Sequence, residues 1–316
     1  MTIPALTESA AAGIRTRRVA VVLNPASGRG QGARRRIELE RLLKAESGRI
    51  GQIGSVQWRI YETDHAGGGT EAAGRAVEDG AEVVAAAGGD GTYGEVVNGI
   101  MGTGVRLAIL PLGTGNDFSR GLGLNTDLAL AVHTLFHGTP RRIDLGITGG
   151  RYFINIAGCG FDAVATERVN RGFRWLRGTP AYIAAVLQTL MSYKAARMTL
   201  EIDGEVIEKR AMLCSIANSS SYGGGMMVAP DARIDDGLFD ICILAEAGKV
   251  EFLRAFPRVF KGTHVTHPKV TMFKAKRIRV ESDPQLPVLI DGDVLARTPA
   301  EFEIVPGAIE VMSPCA

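Results

Sequence analysis

Residues 81–92 read Ala-Glu-Val-Val-Ala-Ala-Ala-Gly-Gly-Asp-Gly-Thr, an apolar run of strand length that ends in glycines around one carboxylate. Glycine has no Cβ, so a backbone rich in it can approach a bulky anionic ligand closely. The pattern returns downstream, where the apolar run 105–110 is followed by Pro-Leu-Gly-Thr-Gly-Asn-Asp-Phe at 111–118. Two Gly-Thr-Asp loops that each follow a strand predict one site for a polyphosphate and its metal ion.

The length and composition of the chain indicate a globular protein of two domains, since 316 residues exceed one ordinary core. A formal net charge of +2 gives no indication of nucleic-acid binding. Four widely spaced cysteines argue against a disulfide framework and fit a reducing cytoplasm. No apolar stretch is long enough to span a bilayer, so we expect membrane contact only from the surface. Residues 1–16 lack the apolar run of a signal peptide and predict a disordered leader.

The order of predicted elements divides the chain near residue 147. Strands at 18–23, 57–61, 82–87 and 107–110 alternate with helices at 33–43, 69–78, 92–100 and 127–137. This alternation predicts a parallel sheet covered by helices, with ligands at the carboxyl ends of the strands. Short alternating strands then follow at 152–158, 198–202, 210–217, 239–244, 277–282, 288–290 and 301–304, with one clear helix at 179–193. They predict an antiparallel sandwich or barrel as a second domain, over residues 148–306.

The turn at 24–30, Asn-Pro-Ala-Ser-Gly-Arg-Gly, joins the first predicted strand to the first helix. Backbone N–H groups at a helix start hold phosphate well, and Arg29 and Arg34 add positive charge. The turn fits the loose dinucleotide fingerprint from Gly28 onward, but no Gly-Lys-Ser/Thr follows, so it is not a Walker loop. Taken alone, a plain strand-to-helix connection explains it equally well.

Each candidate acidic residue also has a purely structural explanation. Asp90 and Asp117 follow turns, where Asp commonly caps a helix. Asp144 fits a salt bridge at the domain border. The remaining three, Asp235, Asp236 and Asp291, border glycine turns of the kind found in hairpins, with or without a bound cation.

Three further groups of residues carry weaker signals. His133 and His137 lie four residues apart on a predicted helix without a Glu or third ligand, which predicts a solvated face rather than zinc. Basic residues alternate with aromatic ones at 168–177 and 249–279. Such segments are either solvated surface or a docking site for anionic lipid.

The motifs occur in a specific order: Asn-Pro-Ala-Ser-Gly at 24–28, Gly-Gly-Asp-Gly-Thr at 88–92, the 111–118 loop, Asp-Asp-Gly at 235–237 and Asp-Gly at 291–292. In that order they resemble the diacylglycerol kinase catalytic family, in its soluble bacterial lipid kinase branch, over residues 17–306. The resemblance implies an ATP-binding α/β domain at 17–147, similar to NAD kinases and phosphofructokinases. It also implies a β-rich lipid domain, and a last strand, at about 307–316, that returns to the first domain. The implied reaction transfers the γ-phosphoryl group of ATP to a lipid hydroxyl.

The resemblance also implies a role for each matching position. The implied nucleotide-binding residues are Asn24, Ser27, Gly28, Arg29, Arg34, Thr63, Gly88, Gly89, Asp90, Gly91, Thr92, Gly113, Thr114 and Asn116. Asp90, Asp117 and Asp236 would organise Mg²⁺, and Asp235 a structural metal. Asp291 would be the general base and Asp144 a carboxylate beside it. The family commonly has Asp-Gly-Glu where this chain has Asp293 at the third position, which leaves a role for that Glu open.

The acceptor remains open between several lipid alcohols, of which diacylglycerol is the first expectation and a sphingoid base another. A kinase of the same fold acting on NAD is the runner-up, and a non-catalytic nucleotide or lipid sensor is a third reading. We expect a cytoplasmic protein that associates with the membrane periphery, and a homodimer is suggested only by the family.

Overall fold

The computed structural model describes residues 17–28, 32–50, 56–172 and 187–315. Its first part is a parallel sheet in the order β2-β1-β3-β4, covered by helices. Strand β3 is buried over its whole length, as expected of a parallel strand with helices on both faces. The bounds are β1 Arg17–Leu23, α1 Gly32–Ile50, β2 Val56–Glu62, α2 Gly68–Glu78, β3 Val83–Gly88, α3 Asp90–Ile100, β4 Arg106–Pro111, α4 Asp117–Gly121 and α5 Leu128–His137.

The second part is antiparallel and rich in strands, in the order β14-β13-β7-β9-β8-β12-β15, with β10 and β11 continuing from β9. Its strands are β5 Thr139–Thr148, β6 Arg151–Phe153, β7 Ile156–Gly160, β8 Ala196–Ile202, β9 Glu205–Ala217, β10 Phe239–Ala245, β11 Val270–Ala275, β12 Arg277–Asp283, β13 Pro287–Ile290, β14 Asp293–Arg297 and β15 Ala300–Ser313. Its core contains Phe153, whose ring lies 5.7 Å from that of Phe239 and 6.4 Å from that of Phe302. The predicted class, an α/β part followed by an antiparallel β-rich part, is confirmed.

A long two-stranded ribbon joins the two parts. Strands β5 and β15 pair from Glu303↔Ile147 to Ser313↔Thr139, with an irregularity between Val305 and Ile309. The first half of β15 also pairs with β12, and at Val311 it pairs in parallel with Leu107 of β4. The described strands therefore form one continuous 15-stranded sheet, and β15 joins its antiparallel part to its parallel part, which fixes the two parts relative to each other.

The prediction of one continuous strand over 152–158 is wrong. The segment divides into β6 and β7, because the intervening backbone turns its N–H groups onto the carboxylate of Asp291. A side-chain partner for the backbone replaces the strand ladder at this point.

The prediction of a single clear helix in the second part is also wrong. Helices α6 (Phe161–Gly172) and α8 (Lys249–Ala255) occur there, followed by 3₁₀ turns at Phe256–Lys261 and Thr263–Thr266. Helix α6 is only weakly apolar, and it is held by Phe161 and Ala165, which pack on Phe252 of α8. Of the predicted helix at 179–193, residues 187–192 (α7) are helical and 179–186 lie outside the described residues.

Helices α1 and α5 pack side by side and correct another expectation. His133 and His137 do have a third potential ligand, since the Glu46 carboxylate on α1 lies 3.1 Å from His137 Nε2. The sequence separation of 91 residues hides this neighbour from any local pattern.

Candidate active site

Three loops meet at the carboxyl ends of β1, β3 and β4. The side-chain amide of Asn24 donates to Thr92 Oγ1 at 3.1 Å, which ties the first loop to the second. Gly28 has φ of +70°, and a Cβ there would lie 2.7 Å from the carbonyl oxygen of Leu112 in the third loop. A Cβ on Gly113 would lie 2.5 Å from Gly89 Cα. The glycines are therefore needed for the loops to touch, as well as for room for a ligand.

The third loop is held in shape by Asn116, which adopts a left-handed conformation with φ of 52°. Its Oδ1 accepts from the N–H of Gly113, and its Nδ2 donates to the carbonyl of the same residue at 2.9 Å. The buried Tyr93 hydroxyl lies 3.1 Å from both Asn116 Oδ1 and the Gly88 carbonyl oxygen. Asn116, predicted as a nucleotide contact, is thus also the residue that shapes the loop.

Asp90 joins the second and third loops and does not cap its own helix. Its carboxylate accepts from the backbone N–H groups of Asp117 (3.2 Å) and Phe118 (3.0 Å), which begin α4. Gly89, rather than Asp90, is the N-cap of α3. Burial raises the pKa of the Asp90 carboxyl, and the hydrogen bonds from α4 oppose that shift. The positive end of a helix dipole stabilises a nearby carboxylate, so the start of α4 favours the Asp90 carboxylate at this position.

The Asp117 carboxylate reaches from the first part of the fold to the second. Its Oδ2 accepts from the N–H of Gly224 at 2.7 Å, and its Oδ1 lies 3.2 Å from Arg120 Nη1. Gly115 stands between the two acidic groups, and a Cβ there would lie 3.1 Å from Asp90 Oδ2 and 3.4 Å from Asp117 Oδ2. Two carboxylate oxygens therefore face one small space that only a glycine leaves open, which fits a hard cation such as Mg²⁺.

Asp291 lies on the tight turn that joins β13 to β14. With φ of 46° at Asp291 and 99° at Gly292, the pair forms the Asp-Gly hairpin that the sequence predicts. The carboxylate accepts from the N–H groups of Ile154 (2.8 Å), Asn155 (2.9 Å) and Ile156 (3.1 Å). A Cβ on Gly94 of α3 would lie 3.3 Å from Asp291 Oδ2, so the carboxylate faces the α/β part.

The charge state of Asp291 suits a proton acceptor. Loss of hydration raises the pKa of its carboxyl to about 6, although the three backbone hydrogen bonds act in the opposite direction. A group with such a pKa is mostly ionised at neutral pH and still basic enough to accept a proton.

Asn155 is a site residue that the sequence reasoning missed. Its Nδ2 donates to Asp90 Oδ1 at 3.2 Å, and its own N–H donates to Asp291 Oδ1. Ser219 Oγ donates to Asn155 Oδ1 at 2.9 Å, so both ends of the side-chain amide have partners. The available signal was an Asn within the apolar segment Phe-Ile-Asn-Ile-Ala at 153–157, because a buried amide requires partners.

No hydrogen bond or ion pair between described residues joins Asp144 to Asp291. Its two oxygens accept from the backbone N–H groups of Gly237 and Gly307, each at 2.7 Å. Gly307, with φ of +56°, lies in the irregular part of the β5–β15 ribbon. Asp144 therefore links two backbone segments where the two parts of the fold meet.

The contacts of Asp235 and Asp236 also differ from the implied metal roles. Asp235 pairs with Arg141 at 2.6 Å and lies 3.6 Å from Arg233. Asp236 pairs with Lys274 at 3.0 Å, and no hydrogen bond or ion pair between described residues joins it to Asp90 or Asp117. Asp236 therefore has its direct partner on β11, and its implied part in holding Mg²⁺ stays a prediction.

The remaining predicted nucleotide residues surround the three loops to different degrees. Thr63 is buried just after β2, where its N–H donates to the Leu23 carbonyl. Ser27 donates its N–H to Asn24 within the first loop, and Thr114 is exposed on the third. Arg34 is exposed in the first turn of α1, whereas Arg29 lies outside the described residues.

With this geometry established, comparison with known proteins assigns the family. The model of the diacylglycerol kinase catalytic domain matches residues 18–148. The model of the YegS C-terminal NAD kinase beta sandwich-like domain matches residues 155–313. A diacylglycerol kinase of Bacillus subtilis is 32% identical over 301 residues, covering 94% of this chain and 97% of the relative. The chain belongs to the diacylglycerol kinase family.

A second relative agrees with this assignment, and a solved structure shares the fold. A diacylglycerol kinase of Mycobacterium tuberculosis is 36% identical over 246 residues, which cover 76% of this chain and 79% of the relative. The crystal structure of a diacylglycerol kinase from Bacillus anthracis shares the fold with a TM-score of 0.70 at 23% identity, covering 94% of this chain and 97% of that one. Membership of this family makes the protein a kinase, with ATP as the implied co-substrate.

The pKa of Asp291 predicts the pH dependence of this diacylglycerol kinase family member. Only the ionised carboxylate can accept a proton, so kcat/KM is expected to fall as the pH drops through about 6. Steady-state rates from pH 5 to 8 test this, with the thermal unfolding temperature measured in parallel to exclude acid unfolding. A flat profile across that range would contradict a base role for Asp291.

The contacts of Asp144 make a second prediction, for Asp144→Asn. An amide nitrogen would face one of the two backbone N–H donors, so the free energy of unfolding should drop by about 1–3 kcal/mol. Because Asp144 contacts Gly237 and Gly307 rather than Asp291, kcat at low temperature should change by less than about tenfold. Urea unfolding and initial rates measure the two effects. A loss of kcat as large as that of an Asp291 variant, with unfolding unchanged, would instead restore the catalytic role implied by the resemblance.

Proposed function

We propose that this protein transfers the γ-phosphoryl group of ATP to the hydroxyl of a membrane lipid, with diacylglycerol as the first candidate. Phosphoryl transfer depends on positioning and charge stabilisation more than on covalent chemistry. The three glycine loops offer backbone N–H groups to the phosphates, and Asp291 accepts the proton of the attacking hydroxyl. Asp90 and Asp117 would hold the Mg²⁺ ion that neutralises charge on the phosphates.

The observation that supports a lipid acceptor is an apolar pocket in the second part of the fold. It lies between α6, β9, β10, α8 and the 3₁₀ turn after α8. Apolar pockets of this kind bind the hydrocarbon portion of a ligand and leave its polar end to a few oriented groups. The apolar lining consists of Phe161, Ala165, Leu213, Met226, Val228, Cys242, Leu244, Phe252, Ala255, Phe256, Val259 and Val270.

Strand β7 connects this pocket with Asp291. The N–H of Ile156 at the start of β7 donates to Asp291, and Phe161 just beyond the end of β7 lines the pocket. Five residues of strand span about 17 Å. The loop after β9 runs in the same direction, because its Gly224 bonds to Asp117 and its Tyr222 lines the pocket. A lipid with its hydroxyl at Asp291 could thus place an acyl chain in the pocket.

Access from a membrane surface is consistent with the outer face of α8 and the turn that follows. Val250, Leu253 and Phe260 are exposed there. The same segment carries Lys249, Arg254, Arg258 and Lys261. Apolar side chains among basic ones suit attachment to anionic lipid, which we propose as the membrane contact. None of the described helices contains an apolar stretch of the length that crosses a bilayer.

Transfer of ³²P from γ-labelled ATP into mixed micelles, with Mg²⁺ present, tests the proposal. The micelles carry diacylglycerol, a sphingoid base or another lipid alcohol one at a time, and soluble NAD is tested separately. Label in the diacylglycerol product supports the first candidate, and label on NAD alone would replace the lipid kinase with a kinase for a soluble acceptor. No label on any acceptor, with ATP still bound, would favour a nucleotide or lipid sensor.

A further inference from the structure

We propose that Glu46, His133 and His137 form a binding site for a divalent transition metal such as Zn²⁺, which joins α1 to α5 outside the proposed active site. The three side chains come from two helices that are packed together and together provide a two-His, one-carboxylate ligand set. Neither the phosphate loops nor the apolar pocket includes any of them.

The separations between the ligand atoms match those of a coordinated metal. Glu46 Oε2 lies 3.1 Å from His137 Nε2 and 3.5 Å from His133 Nδ1. All of the candidate ligand atoms lie within 4.8 Å of one another. Ligand atoms on a tetrahedron around zinc, each about 2.0–2.2 Å from the ion, lie about 3.4 Å apart. Only small side-chain rotations are needed for these atoms to surround one ion.

The two histidines are oriented towards a common partner. They lie one turn apart on α5, with ring centroids separated by 4.5 Å and an angle of 31° between the ring planes. Residues four apart share one helix face, so both imidazoles project towards α1. Two His residues at i and i+4 are a common way for one helix to supply two nitrogen ligands to zinc.

Glu46 is positioned as an anionic ligand. It is buried, and Arg49 Nη1 holds its Oε1 at 2.6 Å, which leaves Oε2 directed at the histidines. Arg49 acts here as a residue that orients a ligand, as partners outside the coordination sphere commonly do.

The type of ligand selects the class of metal. Imidazole nitrogens suit zinc, copper and nickel, whereas Mg²⁺ prefers oxygen ligands alone. A set of two His and one Glu leaves a fourth position for water. The site should therefore bind Zn²⁺ in the presence of the millimolar Mg²⁺ that a kinase requires.

The candidate metal site lies far from the proposed site of phosphoryl transfer. Glu46 follows the first residue of α1 by 14 positions, about 21 Å along a helix axis. The end of α5 lies against the start of β1, since Arg17 donates to the Phe136 carbonyl at 3.3 Å. The proposed active site is at the opposite end of β1. A metal here would stabilise the packing of α1 on α5 and leave the chemistry of the phosphate loops unchanged.

The test uses the full chain after chelator treatment, with saturating Mg²⁺ and an ATP analogue present so that the phosphate site is occupied. Isothermal titration with Zn²⁺ should give one tight site per chain, and the thermal unfolding temperature should rise with Zn²⁺ concentration. Co²⁺ should give the intense visible absorption of a tetrahedral complex. His133→Gln and His137→Gln should each weaken Zn²⁺ affinity by at least about 10- to 100-fold, since even the loss of an outer partner costs that much.

His65→Gln is the matched control, because it removes an exposed histidine outside the group and should leave Zn²⁺ affinity unchanged. Both test histidines are more than a third exposed, so their variants are expected to fold, which circular dichroism checks. Equal Zn²⁺ affinity in wild type and the double variant His133→Gln/His137→Gln would overturn the proposal. So would an absence of binding by wild type.

Discussion

Replacing Asp291 with asparagine is expected to lower kcat by about 10²- to 10⁴-fold, the range that a positioned general base contributes. The amide cannot accept the proton of the acceptor hydroxyl, and it also cannot satisfy all three N–H donors of Ile154, Asn155 and Ile156. The acid limb of the pH profile near 6 should disappear together with the activity. Radiolabel transfer at saturating ATP and acceptor measures the rate, and binding of a fluorescent ATP analogue should be retained.

Asp293→Asn is the matched control for this experiment. Asp293 lies two residues further along, on the exposed side of the same hairpin, and accepts none of the three hydrogen bonds. We expect its kcat to remain within about threefold of wild type, less than the effect of one ordinary hydrogen bond. If both variants lose activity equally, the hairpin rather than the Asp291 carboxylate would be the sensitive feature.

The second large effect is expected for Asp90→Asn, with a loss of kcat of about 10²- to 10³-fold, as for removal of one group that stabilises transition-state charge. One carboxylate oxygen would become an N–H₂ group that faces the N–H donors of Asp117 or Phe118. The start of α4 would move, and the space between Asp90 and Asp117 would lose a negative charge. Raising the Mg²⁺ concentration should therefore recover only part of the rate.

Rates measured across a range of Mg²⁺ concentrations check this result, together with thermal unfolding. Asp79→Asn, at the exposed end of α2, is the control and should behave as wild type. Full recovery of kcat at high Mg²⁺ would show that Asp90 contributes only to metal affinity. An unchanged rate at all Mg²⁺ concentrations would remove Asp90 from the site.

The position of Asp117 suggests why the site is completed only when both parts of the fold are present. Its Oδ2 is held by the N–H of Gly224, which follows β9, while its own backbone belongs to the first part. Asn155 likewise reaches from the second part to Asp90. These contacts, together with the strand β15 that joins the two parts of the sheet, hold the two carboxylates and Asp291 in a constant relation.

The sequence by itself determined the class of fold, the family and the glycine loops after β1, β3 and β4, because each depends on short-range patterns. Strand β3 and the glycines after it are neighbours in the chain, so steric freedom and apolar periodicity are visible in the letters 81–92. The Asp-Gly hairpin of Asp291 was visible for the same reason. The motifs that identify the family are likewise local, and only their order spans the whole chain.

Only the tertiary structure shows which partners each candidate acid has. Asp144 accepts hydrogen bonds from Gly237 and Gly307, 93 and 163 residues away, and Asp236 pairs with Lys274, 38 residues away. Asn155 and Glu46 likewise have hydrogen-bond partners 65 and 91 residues away. Local propensity and spacing carry no information on such contacts, since these depend on how the sheets and helices pack after the chain has folded.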